Sequence, residues 1–478
     1  MSASAAQTLA DDERSVRTFK ADPPPCLNEK SGGKEGDEAT EREPAPIPPQ
    51  VFQEGGWRGW VTVLGAFMVQ FCGFGYTSSF GVYQAFYTQE YITNQSPSAI
   101  SWIGSVNTFL VIGFGLVSGR LYDRGYFYYL TIGGSLLYSF SLFMLSLAKP
   151  NNFYQVFLAQ GIGMGLGAGT VYIPSVAVLS HYFHKRRALA MTIVASGSSL
   201  GSVIHPIMLN NTLFSPLGFG NSVRASAGLV SGMLLIACSL MHPRLPPPQQ
   251  TLGFAQAARK FVRDPAYVFA TMGLSIFTVG YYFPYFYLQL DATKHGLSTT
   301  FSFYSLVIMN GASFFGRLSP GFFARRLGIT NMISFATFAC SIMIFAMIGL
   351  KSVASVVIIA ILFGFFAGVY IALMAPLMVV LTEDLSELGI RMGIAFAFSG
   401  TCSDERAFAG TPISGALLTD KYIWWRPALF SGVSHRGECV EGARAHILRS
   451  DHNHGGSVVL LQHGDHGAPP ITPSAACS

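Results

Sequence analysis

Arg317 stands in an otherwise apolar stretch, SFFGRLSPGFF, and is the residue best suited to hold an anion. A guanidinium offers two parallel donors to a carboxylate. Facing lipid it would cost about 2.5–3.5 kcal/mol. It is therefore expected either to line an internal cavity or to reach the polar edge one turn away. Asn310 precedes it in the same apolar run, and Tyr281 and Tyr285 flank Pro284 in YYFPYFYLQ. These tyrosines suit stacking on an aromatic substrate, although an interfacial aromatic belt explains them equally well. His205, directly before Pro206 at the end of the fifth helix, is a candidate proton relay, since a free imidazole titrates near 6.5. Such a residue more often caps carbonyls freed by the proline, and the structural reading is preferred.

Other chemistry is absent from the pattern. The segment GIGMGLGAG (161–169) contains Gly-x-Gly, but no strand precedes it and it lies inside an apolar run, so helix packing is expected rather than a dinucleotide loop. No Gly-x-x-x-x-Gly-Lys-Ser/Thr loop is present, and no paired carboxylates or nucleophile–base motif stands clear of the apolar runs. The seven cysteines are scattered without metal-type spacing, so neither a disulfide framework nor a zinc site is expected. The chain is read as a non-enzyme without cofactor, metal or nucleic-acid partner.

Composition explains why. Half of the 478 residues are hydrophobic, 12% are charged, and mean hydropathy is +0.40. Soluble domains carry roughly twice that charge. The expectation is an all-α polytopic membrane protein. Apolar runs near 60–83, 98–119, 127–148, 153–180, 188–210 and 225–241 predict six helices. Runs near 266–290, 301–321, 329–350, 353–381 and 391–418 predict five more. Residues 1–56 are polar and read as a disordered cytoplasmic tail, 57–241 as an N-terminal six-helix bundle, and 242–265 as a cytoplasmic linker. Residues 266–433 read as a C-terminal bundle and 434–478 as an aberrant His-rich tail. With the N-terminus cytoplasmic, the inner loops hold Arg120, Arg124, Lys185–Arg187, Arg244, Arg259, Lys260, Arg263, Arg325, Arg326 and Arg391. The outer loops hold only Lys149, Arg224, Lys294 and Lys351, which is the positive-inside asymmetry. The sequons at Asn94 and Asn210 both fall in predicted outer loops and are candidate glycosylation sites.

The halves echo each other: GRLYDRGYF (119–127) follows the second helix, and GRLSPGFFARRLG (316–328) follows the eighth. Two six-helix bundles around a mid-membrane site form the major facilitator arrangement. Several motifs then resemble the monocarboxylate porter family of that superfamily, in its fungal form. These are EGGWRGW (54–60), YFHKRRALA (182–190), HPIMLNN (205–211), RASAGL (224–229), FPYFYLQLDATKHGLS (283–298) and APLMVVLTEDLSELGIRMGIAFAFSG (375–400). The resemblance implies a multi-pass transporter of the plasma membrane that moves a small organic anion or secondary metabolite by alternating access. Transport would be either driven by a proton gradient or facilitated. It also implies that Arg120, Asp123 and Arg124 form charge pairs that gate the inward-closed state. Animal proton-coupled members carry a Lys in the first helix and an Asp four residues before an Arg in the eighth. Here those places hold Ser78 and Ser313, with Arg317 retained. The stretch 161–201 identifies the scaffold and is expected to stay clear of the cargo.

The C-terminus departs from this pattern. Asp404, Glu405 and Arg406 interrupt the eleventh run, at about 5–10 kcal/mol before any pairing. The twelfth run never appears, and six of the eleven histidines fall after residue 433. The sequence suggests a splice-type insertion near 402–406 and an altered reading frame after about Val433, with the final helix lost. A non-transporting membrane sensor or an inactive remnant is the rival reading. Oligomeric state is not legible.

Overall fold

The computed structural model describes residues 54–245, 253–294, 298–349, 352–382 and 384–403. In hydrocarbon no water satisfies a backbone amide, so apolar segments of this length close their hydrogen bonds internally as helices. Among the described residues they do so eleven times. We label them α1 (Gly56–Tyr91), α2 (Ser98–Asp123), α3 (Phe127–Leu145), α4 (Phe153–His181), α5 (Arg187–Leu213) and α6 (Gly218–Leu240). After an amphipathic linker helix, Phe254–Val262, come α7 (Pro265–Lys294), α8 (Thr299–Leu327), α9 (Ile329–Ala346), α10 (Val353–Leu381) and α11 (Leu388–Ser403). Eight of the eleven are long and apolar enough to cross a bilayer on composition alone. The expected continuation of α11, the aberrant tail and residues 1–53 of the N-terminal tail lie outside the described residues, whereas Glu54 and Gly55 are tied to the α4–α5 loop.

Helices α1–α6 pack mainly on one another and α7–α11 do likewise, giving two helical halves. The halves meet chiefly where α5 crosses α8 and where α2 crosses α11. The face that carries Arg124, Lys185, Arg186 and Arg325 is called here the basic-loop face.

The alternating glycines 161–169 explain how α4 packs. A Cβ on Gly167 would lie 2.7 Å from the Tyr138 backbone nitrogen of α3. Two residues away on the helical wheel's other side, a Cβ on Gly165 would lie 3.0 Å from the Asn107 carbonyl of α2. Glycines four apart share one helix face, so the two interleaved series let α2 and α3 both approach α4 closely. Without a hydrophobic driving force between helices, such backbone proximity supplies the packing. Helix α1 is less regular. It bends at Gly73 and Ser79 and ends in a π turn, Tyr87–Tyr91, which carries it several residues past its predicted end at 83.

At the basic-loop face, short polar ties fix the loops. Glu54 Oε1 accepts the amides of His184 (3.1 Å) and Lys185 (2.5 Å), and the Gly55 amide donates to the Tyr182 carbonyl at 2.8 Å. Burial pushes the Glu54 carboxyl up, but the amide donors of Lys185, His184 and Arg186 outweigh it and hold the group below its ordinary value. The linker helix buries Ala257 and Phe261. There Lys260 Nζ reaches both Glu387 oxygens at 2.7 and 2.9 Å. Arg391 pairs with Asp264 at 3.1 Å while its guanidinium lies 4.6 Å over the Phe261 ring.

Two outcomes follow. Gly167→Val should lower the thermal midpoint of the purified protein, since overpacking against backbone costs about 1–3 kcal/mol. Gly133→Ala, with open space around its Cβ, should not. Equal midpoints would remove the close-approach account. For Glu54, a depressed folded pKa means stability that is present above the unfolded value and lost as pH falls through the folded one. Glu54→Gln should thus melt about 1–2 °C lower at neutral pH, and the gap should close on acidification; a pH-independent gap would exclude the ionised tie.

Candidate functional site

Between the halves lies a cavity of about 810 Å³. Its lining begins near Arg317 and Ser198 and continues to Gln84 on α1, Phe214 just past α5 and Tyr304 in the first turns of α8. The cavity therefore extends away from the basic-loop face. Among the described residues that line it, Arg317 is the only one with a formal charge.

Arg317 is 8% exposed. Its Nη1 donates to the Ala195 carbonyl at 3.0 Å and to Ser198 Oγ, so α5 of one half holds a cation carried by α8 of the other. Pairing with polar atoms removes part of the desolvation cost that an apolar setting would impose. From Ser198 the polar line continues across the floor. The Ser202 hydroxyl donates to the Ser198 carbonyl at 2.8 Å and lies 2.8 Å from Ser78 Oγ of α1. Ser199 Oγ reaches Ser313 Oγ at 3.2 Å. Ser78 of α1 and Ser313 of α8 thus both present hydroxyls that bind α5.

The remaining sequence candidates divide. Asn310 lines the cavity, with its Nδ2 donating to the Leu306 carbonyl at 3.0 Å. Tyr281 also lines it, stacked on Phe277 at 5.9 Å and on Phe363 at 6.2 Å. Tyr285 lies in α7, with its side chain outside the described residues. His205 is displaced from its expected place at the end of α5. The helix runs on through Pro206 to Leu213, and the imidazole is buried between Phe71 (4.6 Å) and Tyr76 (5.0 Å). It is not among the lining residues. Asn94 lies in the loop after α1, exposed, with its Nδ2 on the Asn151 carbonyl at 3.0 Å. Asn210 is not in a loop: it sits in α5 and lines the cavity.

The stretch 161–201 does not stay clear of the cavity. Tyr172, Val176, Met191, Ala195 and Ser198 all belong to the lining. Tyr172 of α4 also bridges the halves, with Phe74 at 4.8 Å and Phe396 of α11 at 5.9 Å. The serine run SGSSLGS carried a legible signal, because it offers hydroxyls as well as small volume. Small residues alone would have sufficed for packing.

Closure at the basic-loop face differs from the expected charge pairs. Asp123 accepts the amides of Gly389 (3.0 Å) and Ile390 (2.7 Å), so its carboxylate caps the first turn of α11 rather than an arginine. That geometry matches the positive end of a helix. Arg120 is half-buried and Arg124 exposed beside it. Close approach makes the cap reachable: a Cβ on Gly389 would meet the Asp123 carboxylate and the Gly119 carbonyl.

Two packed helical halves around a central cavity, closed at one face and lined toward the other, define a multi-pass membrane transporter. The chain belongs to the Major Facilitator Superfamily, whose family profile matches residues 34–403. It is 38% identical over 395 residues to the aspyridones efflux protein of Emericella nidulans, covering 83% of this chain and 79% of that one. It is 35% identical over 376 residues to the agnestins efflux protein of Paecilomyces divaricatus, covering 79% and 84%. Its fold is similar to the crystal structure of the major facilitator transporter FucP in the outward conformation, with a TM-score of 0.65 at 12% identity over 80% of this chain and 98% of that one.

The cap yields a direct outcome. Losing an N-cap carboxylate costs about 1–2 kcal/mol, a factor of about 5–30 in a two-state equilibrium. Asp123→Ala should shift the protein by that factor toward opening at the basic-loop face. Distances between spin labels at Tyr126 and Leu327, in a cysteine-free background, report it. An unchanged distance distribution would exclude the cap as a latch.

Proposed function

We propose that this protein exports a small amphipathic organic anion of secondary metabolism by rocking its two halves about the cavity. The observation that carries this reading is Arg317, a buried guanidinium at the floor of an otherwise uncharged 810 Å³ cavity among the described residues. A cavity of that size suits a drug-sized ligand, with apolar walls burying its body and a few polar groups fixing its orientation. Phe277, Tyr281, Tyr172 and Phe396 supply the walls, and Asn310 and Ser202 the further polar contacts. The names of the two efflux relatives favour secondary metabolites as cargo and export as direction. The motifs quoted from the sequence support the monocarboxylate porter branch, with "monocarboxylate" naming the family rather than the cargo.

Under this reading the basic-loop face lies in the cytoplasm, as the Lys and Arg asymmetry supports, and the protein resides in the plasma membrane. The structure then represents a state closed to the cytoplasm. Asp123, Arg120 and Arg124 act at the gate. The described lining residues include no carboxylate and no imidazole.

Flux assays in proteoliposomes over a panel of carboxylates, polyketides and riboflavin-like compounds test the reading. A hydrogen bond to a charged group contributes about 1.5–3 kcal/mol, or roughly 10- to 100-fold. Arg317→Ala should reduce the flux of anionic substrates by that range and spare neutral analogues, with Arg317→Lys intermediate. Wild-type flux from a normally expressed Arg317→Ala protein would remove the anion-binding role. Absence of flux for the whole panel from folded wild-type protein would favour a non-transporting sensor.

A further inference from the structure

A second concavity, of about 340 Å³, opens at the basic-loop face, remote from the central cavity. It is lined by Glu54, Trp60, Phe183, Lys185, Arg186 and Arg325. Its three cations come from both halves of the molecule. Lys185 and Arg186 lie in the α4–α5 loop, and Arg325 lies in the last turn of α8. All three are exposed. Against them stands one carboxylate, Glu54, whose Oε1 is taken up by the His184 and Lys185 amides. The lining therefore carries a formal excess of two positive charges.

The floor of this concavity is rigid. Trp60 and Phe183 pack edge to face with ring centroids 5.1 Å apart, and the Glu54 tie fixes the loop that bears Lys185 and Arg186. Arg187 turns away, with its Nε donating to the Phe183 carbonyl at 2.9 Å. The aromatic setting also fixes depth. Trp57 is 82% exposed one turn before Trp60 on α1, and exposed Trp at a helix end marks the headgroup level of a bilayer. Basic pockets at that level, with Arg forks that match phosphate oxygens, recognise phosphorylated headgroups.

We propose that this concavity binds a phosphate-bearing anion supplied by an anionic lipid headgroup, and that the bound anion ties the two halves together at the basic-loop face. Lys185 and Arg186 move with one half and Arg325 with the other. Rocking that opens this face separates them and breaks the bridge. The headgroup thus acts as a removable clip, independent of whatever occupies the central cavity, and stabilises the state seen here. This role rests on the geometry of the two halves and does not depend on the identity or direction of the cargo.

The test uses the full-length chain, spin-labelled at Tyr126 and Leu327, in nanodiscs of phosphatidylcholine with increasing phosphatidylinositol 4-phosphate. The lipid should raise the population closed at the basic-loop face. Each basic residue near an anionic surface contributes about 1 kcal/mol, or about fivefold. Arg325→Gln should therefore raise the half-maximal lipid fraction about fivefold, and the Lys185→Gln, Arg186→Gln double variant about 25-fold. Each variant should keep the wild-type melting midpoint in phosphatidylcholine alone, which separates loss of the clip from loss of the fold. Arg326→Gln, next in sequence but outside the concavity, should leave the lipid response unchanged. Failure of the anionic lipid to shift the population would overturn the proposal. So would an Arg326→Gln effect equal to that of Arg325→Gln, which would signify general surface charge. A matching shift from soluble inositol phosphate in phosphatidylcholine nanodiscs would overturn the lipid as the source.

Discussion

A buried guanidinium at the junction of two helical halves is the constraint on which the rest of this structure depends. Arg317 has no carboxylate among the described cavity-lining residues. It is held by a carbonyl and a hydroxyl of α5. That arrangement is stable only while α5 and α8 remain in contact. It also places the cation at the cavity floor. The serines around it serve the same end. Ser198, Ser202 and Ser78 link α5 to α1, and Ser199 links it to Ser313 of α8. The α5 helix is thus the polar spine of the site as well as a packing element.

Closure at the basic-loop face uses equally weak, separable contacts. Asp123 caps the start of α11 with two amide hydrogen bonds, and glycines 119 and 389 allow the approach. Arg391, Asp264, Lys260 and Glu387 hold the linker helix and the foot of α11 within one half. The ion pairs Lys260–Glu387 and Arg391–Asp264 stay within one half, whereas the ties named between the halves are hydrogen bonds of Arg317, Ser199 and Asp123. Such a distribution suits rigid bodies that part at their interface without unfolding. A headgroup clip across Lys185, Arg186 and Arg325 would add a third, exchangeable contact of the second kind.

Much of this was legible without coordinates. Lipid forbids unsatisfied backbone, so apolar runs of sufficient length had to become helices, and their order and approximate ends followed. The alternating glycines of α4 announced close packing, and an isolated arginine in an apolar run announced a cavity or an interface. Other readings failed for identifiable reasons. His205 was placed at a helix end because proline often breaks helices, yet α5 continues through Pro206 to Leu213. Asn210 carries a sequon and lies near a polar patch, yet the last turns of α5 extend to include it. The Asp123 cap is not legible in the sequence, because its partners are backbone amides more than 260 residues away, which no side-chain pattern reveals.

The set of helices, the basic loops and the residue types that make α-helical membrane transport possible are all readable from the chain before it folds. These depend on local composition, which the bilayer reads segment by segment. Only the tertiary structure decided which face of each helix meets the cavity. It turned the serines of α5 toward Arg317, buried His205 against Phe71 and Tyr76, and brought Arg325 beside Lys185 and Arg186. The reason is that most sides of these helices are apolar or small, so composition alone does not single out the face that meets the cavity. The rotation and crossing that choose among those sides are set by neighbours distant in the chain.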